Sequence, residues 1–106
     1  MTKKHKIIDG IIKVATKTHP DSEIILYGSQ ARGDANKESD WDLLILLNQP
    51  NLSFEQETKI MDDYYELELA EGIVISPMIY TKNDWNTKYA NIPLHSNINR
   101  EGIKIR

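Results

Sequence analysis

The uninterrupted aliphatic run Leu43-Leu44-Ile45-Leu46-Leu47 most narrows what this chain can become. Bounded behind by Asn48-Gln49-Pro50-Asn51, it reads as a buried strand. The strand is entered through Ser39-Asp40-Trp41-Asp42, which sets two carboxylates one residue apart at its mouth. Alternation along a strand turns Asp40 and Asp42 to one face and Trp41 to the other, with the two Asp Cα atoms roughly 6.5 Å apart. Like charges at that spacing repel, and an unpaired carboxylate leading into an apolar run is costly. A shared divalent cation relieves both problems, and hard oxygen donors suit Mg²⁺ or Mn²⁺ rather than zinc.

The rest of the chain supplies elements to cover that strand. Ile7, Ile8, Ile11, Ile12 and Val14-Ala15 recur at helical spacing and predict an amphipathic helix over about 3–18, ended by Pro20. "EIILYG" predicts a buried strand closed by Gly28, and the polar stretch that follows has room for one helical turn. Ser53, with Gln56 three residues on, predicts a capping box for a helix over about 54–70 whose apolar positions are Ile60, Met61, Tyr64, Leu67 and Leu69. Gly72 ends that helix. "IVISPMIY" predicts a third strand, placed at an edge or bulge by Pro77. Thr81 opens a short helix, and the tail predicts a weak helix ended by Gly102 and then a β-like "IKI". This order describes an α/β domain with a small mixed sheet of three to four strands packed with two main helices. The link between the first two strands is too short for a crossover helix, so they are expected to be antiparallel neighbours.

Length and composition set the outer limits. The 106 residues are one domain's worth, so residues 1–106 are expected to form a single unit. A formal net charge of -3 argues against a duplex-DNA binder that relies on a broad basic face. With no cysteine there is no disulfide, thiolate nucleophile or Cys-based zinc site, and His5, His19 and His95 lack metal-ligand spacing. The basic, then apolar N-terminus is interrupted by Asp9, Gly10 and Lys13, unlike a signal peptide. No window reaches membrane-spanning length, and the default expectation is a soluble cytoplasmic protein. The Lys3-Lys4-His5-Lys6 cluster reads first as a solvated helix start.

Upstream of the aspartates, Gly28 allows a ligand close to the backbone. Ser29 offers a hydroxyl and an amide at the positive end of the helical turn, where anions bind. An anion site beside a divalent-metal site describes a pocket for a metal-bound polyphosphate, hence a nucleoside triphosphate. Taken singly, each residue has a plain structural reading: Gly28 as a turn glycine, Ser29 as an N-cap, Asp40 as a strand-end cap and Asp42 as a surface residue. Taken together, with Asp42 leading into the aliphatic run, they favour a site.

The segment Gly28-Ser29-Gln30-Ala31-Arg32-Gly33, five residues, then Ser39-Asp40-Trp41-Asp42-Leu43 resembles the GSxARGxxxxxSDxDL signature of minimal nucleotidyltransferases. These belong to the DNA polymerase β-like superfamily, which includes kanamycin nucleotidyltransferase and the antitoxin half of HEPN–MNT pairs. Every defined position of the motif is filled. The resemblance implies that Gly28 and Ser29 hold the β- and γ-phosphates of a nucleoside triphosphate, with ATP the expected one. It also implies that Asp40 and Asp42 are the catalytic, Mg²⁺-holding pair. Arg32 either steadies the phosphates or forms a salt bridge with Asp34 or Glu38. Ser39 braces the Asp40 loop, and Gln30 occupies a variable position of the motif.

One position departs from the family. A third carboxylate is expected on the strand facing the pair, yet "GIVISPMIY" contains neither Asp nor Glu, and Ser76 aligns there. Serine cannot accept a proton at neutral pH as a carboxylate can. Glu68, Glu71 and Asp84 lie nearby in sequence but read first as solvated. Met61 and Met78 read as packing residues, Tyr64, Tyr65, Trp41 and Trp85 as core before base-stacking groups, and His95 as a surface or capping residue. The resemblance thus implies one of two functions. One is Mg²⁺-dependent transfer of a nucleoside monophosphate to a protein or small-molecule hydroxyl. The other is an impaired domain acting as an antitoxin or partner-binding module, with a HEPN-type protein as the partner either would fit.

Overall fold

The computed structural model describes residues 2–36 and 39–106. Helix α1 (Lys3–Thr18) starts where Thr2 caps the His5 amide and presents Ile7, Ile11 and Ala15 to the core. Strand β1 (Ser22–Tyr27) leads into α2 (Ser29–Arg32), a single turn, and then into β2 (Trp41–Leu47). Helix α3 (Phe54–Glu71) connects β2 to β3 (Ile75–Thr81). Helices α4 (Lys82–Thr87) and α5 (Pro93–Glu101) follow, and the chain closes with β4 (Ile103–Lys104). Among the described residues no helix is long and apolar enough to cross a membrane.

The strands form one mixed sheet in the order β3-β2-β1-β4. β1 and β2 are antiparallel neighbours, as their short link requires, whereas the helical crossover α3 makes β2 and β3 parallel. Pro77 is accommodated because β3 is an edge strand.

The two faces of the sheet have separate cores. Trp41, Leu43, Ile45 and Leu47 of β2 pack with Ile24 and Leu26 beneath α1 and α3, against Ile7, Ile11, Ile60 and Tyr64. Leu44 and Leu46 turn the other way and meet Trp85 of α4 and Ile98 of α5. Both faces are covered, which is why β2 reads as a continuous aliphatic run rather than an alternating one. Trp85 is stacked between Tyr80 and His95, with ring centroids 5.5 and 4.8 Å away. His95 is therefore an aromatic partner of the second core, not a free surface or capping group.

Two sequence expectations for α3 are corrected. Met61 and Leu69 are 41% and 67% exposed, while Ile60, Tyr64 and Leu67 make the contact with the sheet. The helix carries apolar residues on two stripes, and only one can face the sheet. The capping box is also half-formed. Ser53 Oγ accepts from the Gln56 amide, but the Gln56 side chain pairs with Gln49 instead of reaching back.

Candidate functional site

Asp42 is the second residue of β2 and lies on the face covered by α4 and α5, opposite Trp41. Its register partner on β1 is Tyr27, and on β3 it is Ser76. Asp40 precedes the strand and is exposed, with Ser76 Oγ donating to its Oδ2 over a long 3.5 Å. Parallel pairing thus sets Ser76 beside both aspartates.

Immediately after Tyr27 the backbone takes a conformation that only glycine adopts without strain, with Gly28 at φ 74°, ψ −155°. A side chain there would also collide with the Asp42 carboxylate, the ideal Cβ position being 3.3 Å from Asp42 Cγ and closer still to Oδ2. The chain then turns into α2, where the Ala31 and Arg32 amides donate to Gly28 O at 3.1 and 3.0 Å, and Gly33 in the left-handed region ends it. Ser29 and the Asp42 carboxylate therefore flank the same glycine.

The segment before the aspartates is braced from several sides. The Asn36 amide donates to Ser39 Oγ at 2.9 Å, and the Ser39 amide donates to Asn36 O at 3.2 Å. The Trp41 amide reaches Val74 O at 2.8 Å and locks the start of β2 to the entrance of β3. Gln30, to which the motif assigns no role, is buried. Its side-chain amide donates to Ser39 O, and its backbone carbonyl accepts from Lys4 Nζ at 3.0 Å. Lys3 and Lys4 rim a cavity of about 570 Å³ floored by Ile7, Trp41 and Ile73. That cavity meets the site loop from the α1 face, away from the face that carries Asp42.

The electrostatics fit a cation-binding pair. Burial and then the neighbouring Asp40 charge push the Asp42 carboxyl above its ordinary value, and the Arg32 charge partly offsets them. Across the register the Tyr27 phenol is pushed up to about 12, by burial and then by Asp42. A carboxylate whose charge is disfavoured by burial and a like neighbour is relieved by a divalent cation, and oxygen-only donors fit Mg²⁺ or Mn²⁺. Arg32 lies 3.2 Å from Asp34 and 3.3 Å from Glu101 of α5, and both carboxylates keep its guanidinium charged. The alternative partner Glu38 lies outside the described residues.

None of the nearby acidic candidates joins the pair. Glu68 is not solvated: its Oε1 accepts the Ile75 amide at 2.6 Å and ties the end of α3 to β3. Glu71 faces Lys6 at 3.9 Å. Asp84 follows Thr81, at the far end of β3 from Ser76 and roughly 15–20 Å along the strand. Among the described residues no three His, Cys, Asp or Glu side chains cluster as a metal site. Trp41, Tyr64 and Trp85 are buried and unavailable to a base.

Sequence reasoning missed a further polar cluster, His19-Ser22-Tyr64, buried between α1, β1 and α3. Ser22 Oγ donates to His19 O at 2.7 Å, so His19 Nδ1–H must donate to Ser22 Oγ at 2.6 Å. Nε2 is then left to accept from Tyr64 OH at 3.0 Å. This is a neutral histidine, and burial followed by the Arg106 charge lowers its pKa to about 4. No local signal marks the cluster, because its members are 45 residues apart at the extreme.

Comparison with known proteins agrees with the geometry. A relative from Methanocaldococcus jannaschii, named as a candidate protein adenylyltransferase, is 45% identical over 60 residues, covering 56% of this chain and 59% of its own length. The chain thus spans about three-fifths of that relative. A second relative of the same description and organism is 36% identical over 80 residues, covering 76% of this chain and 73% of the relative. In fold, a toxin–antitoxin crystal structure with AMP-PNP superposes with a TM-score of 0.65 at 18% identity, over 93% of this chain and 72% of that one. The structure of a candidate minimal nucleotidyltransferase gives 0.59 at 20% identity, over 93% of this chain and 89% of that one. The model of the nucleotidyltransferase domain matches residues 8–98, which include the glycine turn, both aspartates and Ser76. The chain belongs to the nucleotidyltransferase domain family.

Proposed function

We propose that this domain binds a metal-bound nucleoside triphosphate between the Gly28-Ser29 turn and Asp40-Asp42, and transfers the nucleoside monophosphate to a hydroxyl of a protein or small-molecule acceptor. The observation that supports the reading is the close approach of the Asp42 carboxylate to a glycine in a Gly-only conformation, which brings the Gly28-Ser29 turn beside the paired aspartates. Names of the relatives favour a protein acceptor and ATP. Asp40 and Asp42 would hold Mg²⁺ or Mn²⁺, which when bound neutralises the polyphosphate and the departing pyrophosphate. The Gly28-Ser29 turn would receive the phosphate oxygens, with Ser29 donating to them, and Arg32 would reach them from the rim by leaving Asp34 and Glu101. In transfer, the acceptor oxygen bonds to the α-phosphorus, the bond to pyrophosphate breaks, and the acceptor hydroxyl's proton passes to solvent water.

Ser76 favours a second reading. It stands in register with Asp42 but is not a base at neutral pH, so β3 presents no carboxylate to take that proton. Nucleotide binding without efficient transfer would make the domain an antitoxin or nucleotide-sensing partner, a HEPN-type protein being one candidate. Mass spectrometry of an acceptor protein after incubation with ATP and Mg²⁺ separates the two. An AMP adduct that vanishes in the Asp40→Ala/Asp42→Ala variant supports transfer. A stable complex with no adduct, unchanged by those substitutions, rules transfer out.

A further inference from the structure

Helix α3 carries an apolar stripe on the side facing away from the sheet. Phe54, Met61, Tyr65 and Leu69 are spaced seven, four and four residues apart. At 3.6 residues per turn they fall within about 80° of one another, along roughly 22 Å of helix. Their exposures are 82%, 41%, 58% and 67%. Isolated exposed apolar residues are ordinary, but four on one side of one helix, with Thr58 between the first two, mark a contact surface.

Acidic residues dominate the charge beside the stripe. Glu55, Asp62 and Glu66 follow one edge and Glu57 the other, all exposed, and among the described residues none forms an ion pair. The one nearby cation, Lys59, is engaged by Asp63 at 2.9 Å. A second copy of this chain placing its own α3 on the stripe would set carboxylate rows against each other, in a chain of net charge -3. That arrangement opposes self-association.

We infer that the outer face of α3 docks a partner protein through an amphipathic helix whose apolar stripe is flanked by lysine or arginine. The apolar rows bury each other, and the basic flanks pair with Glu55, Asp62, Glu66 and Glu57. Asp42 and Ser76 lie on the opposite face of the sheet from α3, so the docked helix leaves the nucleotide site open. The inference rests on exposure and charge, and holds whether or not the site turns over.

The full chain, ¹⁵N-labelled, is titrated with a synthetic helix of roughly 16–20 residues, long enough to match the stripe. One peptide has a leucine stripe flanked by lysine, and a control has the same stripe flanked by glutamate. The expected result is saturable binding of the basic peptide alone, with amide shifts confined to α3. Tyr65→Asp with Leu69→Asp should weaken it by about tenfold or more. The triple variant Glu55→Lys, Asp62→Lys, Glu66→Lys should transfer preference to the acidic peptide. All these positions are exposed, so unchanged melting temperatures verify that the variants fold. The inference is overturned by equal binding of both peptides, by shifts mapping elsewhere, by indifference to charge reversal, or by sedimentation showing a homodimer that Tyr65→Asp dissociates.

Discussion

Replacing Gly28 with alanine tests the geometry of the site most directly. Two separate costs meet at this residue. The first is conformational: φ 74°, ψ −155° lies in a region that costs a side-chain-bearing residue on the order of 1–3 kcal/mol. The second is steric: the new Cβ would sit 3.3 Å from Asp42 Cγ and overlap Oδ2, so the carboxylate must rotate away. Taking about 2 kcal/mol for the first cost alone, and 4–8 °C per kcal/mol for a domain of about this size, the metal-free melting temperature should fall by roughly 8–16 °C. Thermal unfolding followed by circular dichroism in EDTA reads this number. The steric part is isolated by repeating Gly28→Ala in an Asp42→Ala background, where the carboxylate is gone but the backbone demand remains. The cost should shrink there by about 0.5 kcal/mol or more, the coupling expected of residues in contact. Mn²⁺ binding followed by paramagnetic relaxation should weaken in Gly28→Ala, because the displaced carboxylate is a proposed ligand. If Gly28→Ala costs less than about 0.5 kcal/mol in both backgrounds, as an ordinary surface change would, the backbone is not held as described. An equal, large cost in both backgrounds would remove the close approach to Asp42 instead.

Other consequences can be measured on the same protein. Asp42→Asn should raise the metal-free melting temperature, since it removes a half-buried charge beside Asp40, while abolishing Mg²⁺-dependent nucleotide binding in calorimetry; a destabilised variant would refute the repulsion argument. Ser76→Asp should tighten metal binding and, where an acceptor is modified, raise transfer by about 10²-fold or more, the usual contribution of a general base; no gain would mean the serine position is not the missing corner. Folding keeps His19 neutral, with its pKa down from 6.5 to about 4, so the unfolded chain binds more protons between those values. That contribution to stability is complete above pH 6.5 and is lost as pH falls through 6.5 to 4, by up to about 3 kcal/mol. Denaturant unfolding across that window should show the loss, and His19→Gln should flatten it.

Much of the architecture was legible from local pattern. The helical repeat of α1, the aliphatic run of β2, Gly72 behind α3 and Thr81 ahead of α4 each report through neighbours a few residues away, and the structure places those elements within a residue or two. The spacing from Gly28 to Asp42 was equally readable, because the glycine turn, the helical turn and the strand mouth are contiguous in the chain. α3 was harder. Its residues carry two apolar stripes, and nothing local says whether Tyr64 or Tyr65 faces the sheet; packing buried Tyr64 and left Met61, Tyr65 and Leu69 outside. Glu68 read as solvated because its acceptor role depends on the Ile75 amide, which reaches it only after the chain has turned at Gly72.

By itself the sequence determined the order of elements, the family signature, and which two carboxylates stand one residue apart. Only the tertiary structure decided what stands opposite them. Parallel pairing of β2 with β3 puts Ser76 beside Asp42, antiparallel pairing with β1 puts Tyr27 on its other side, and the turn at Gly28 brings backbone against its carboxylate. Strand register depends on contacts between segments tens of residues apart, with free energy shared over the whole sheet, so no short stretch of chain can encode it.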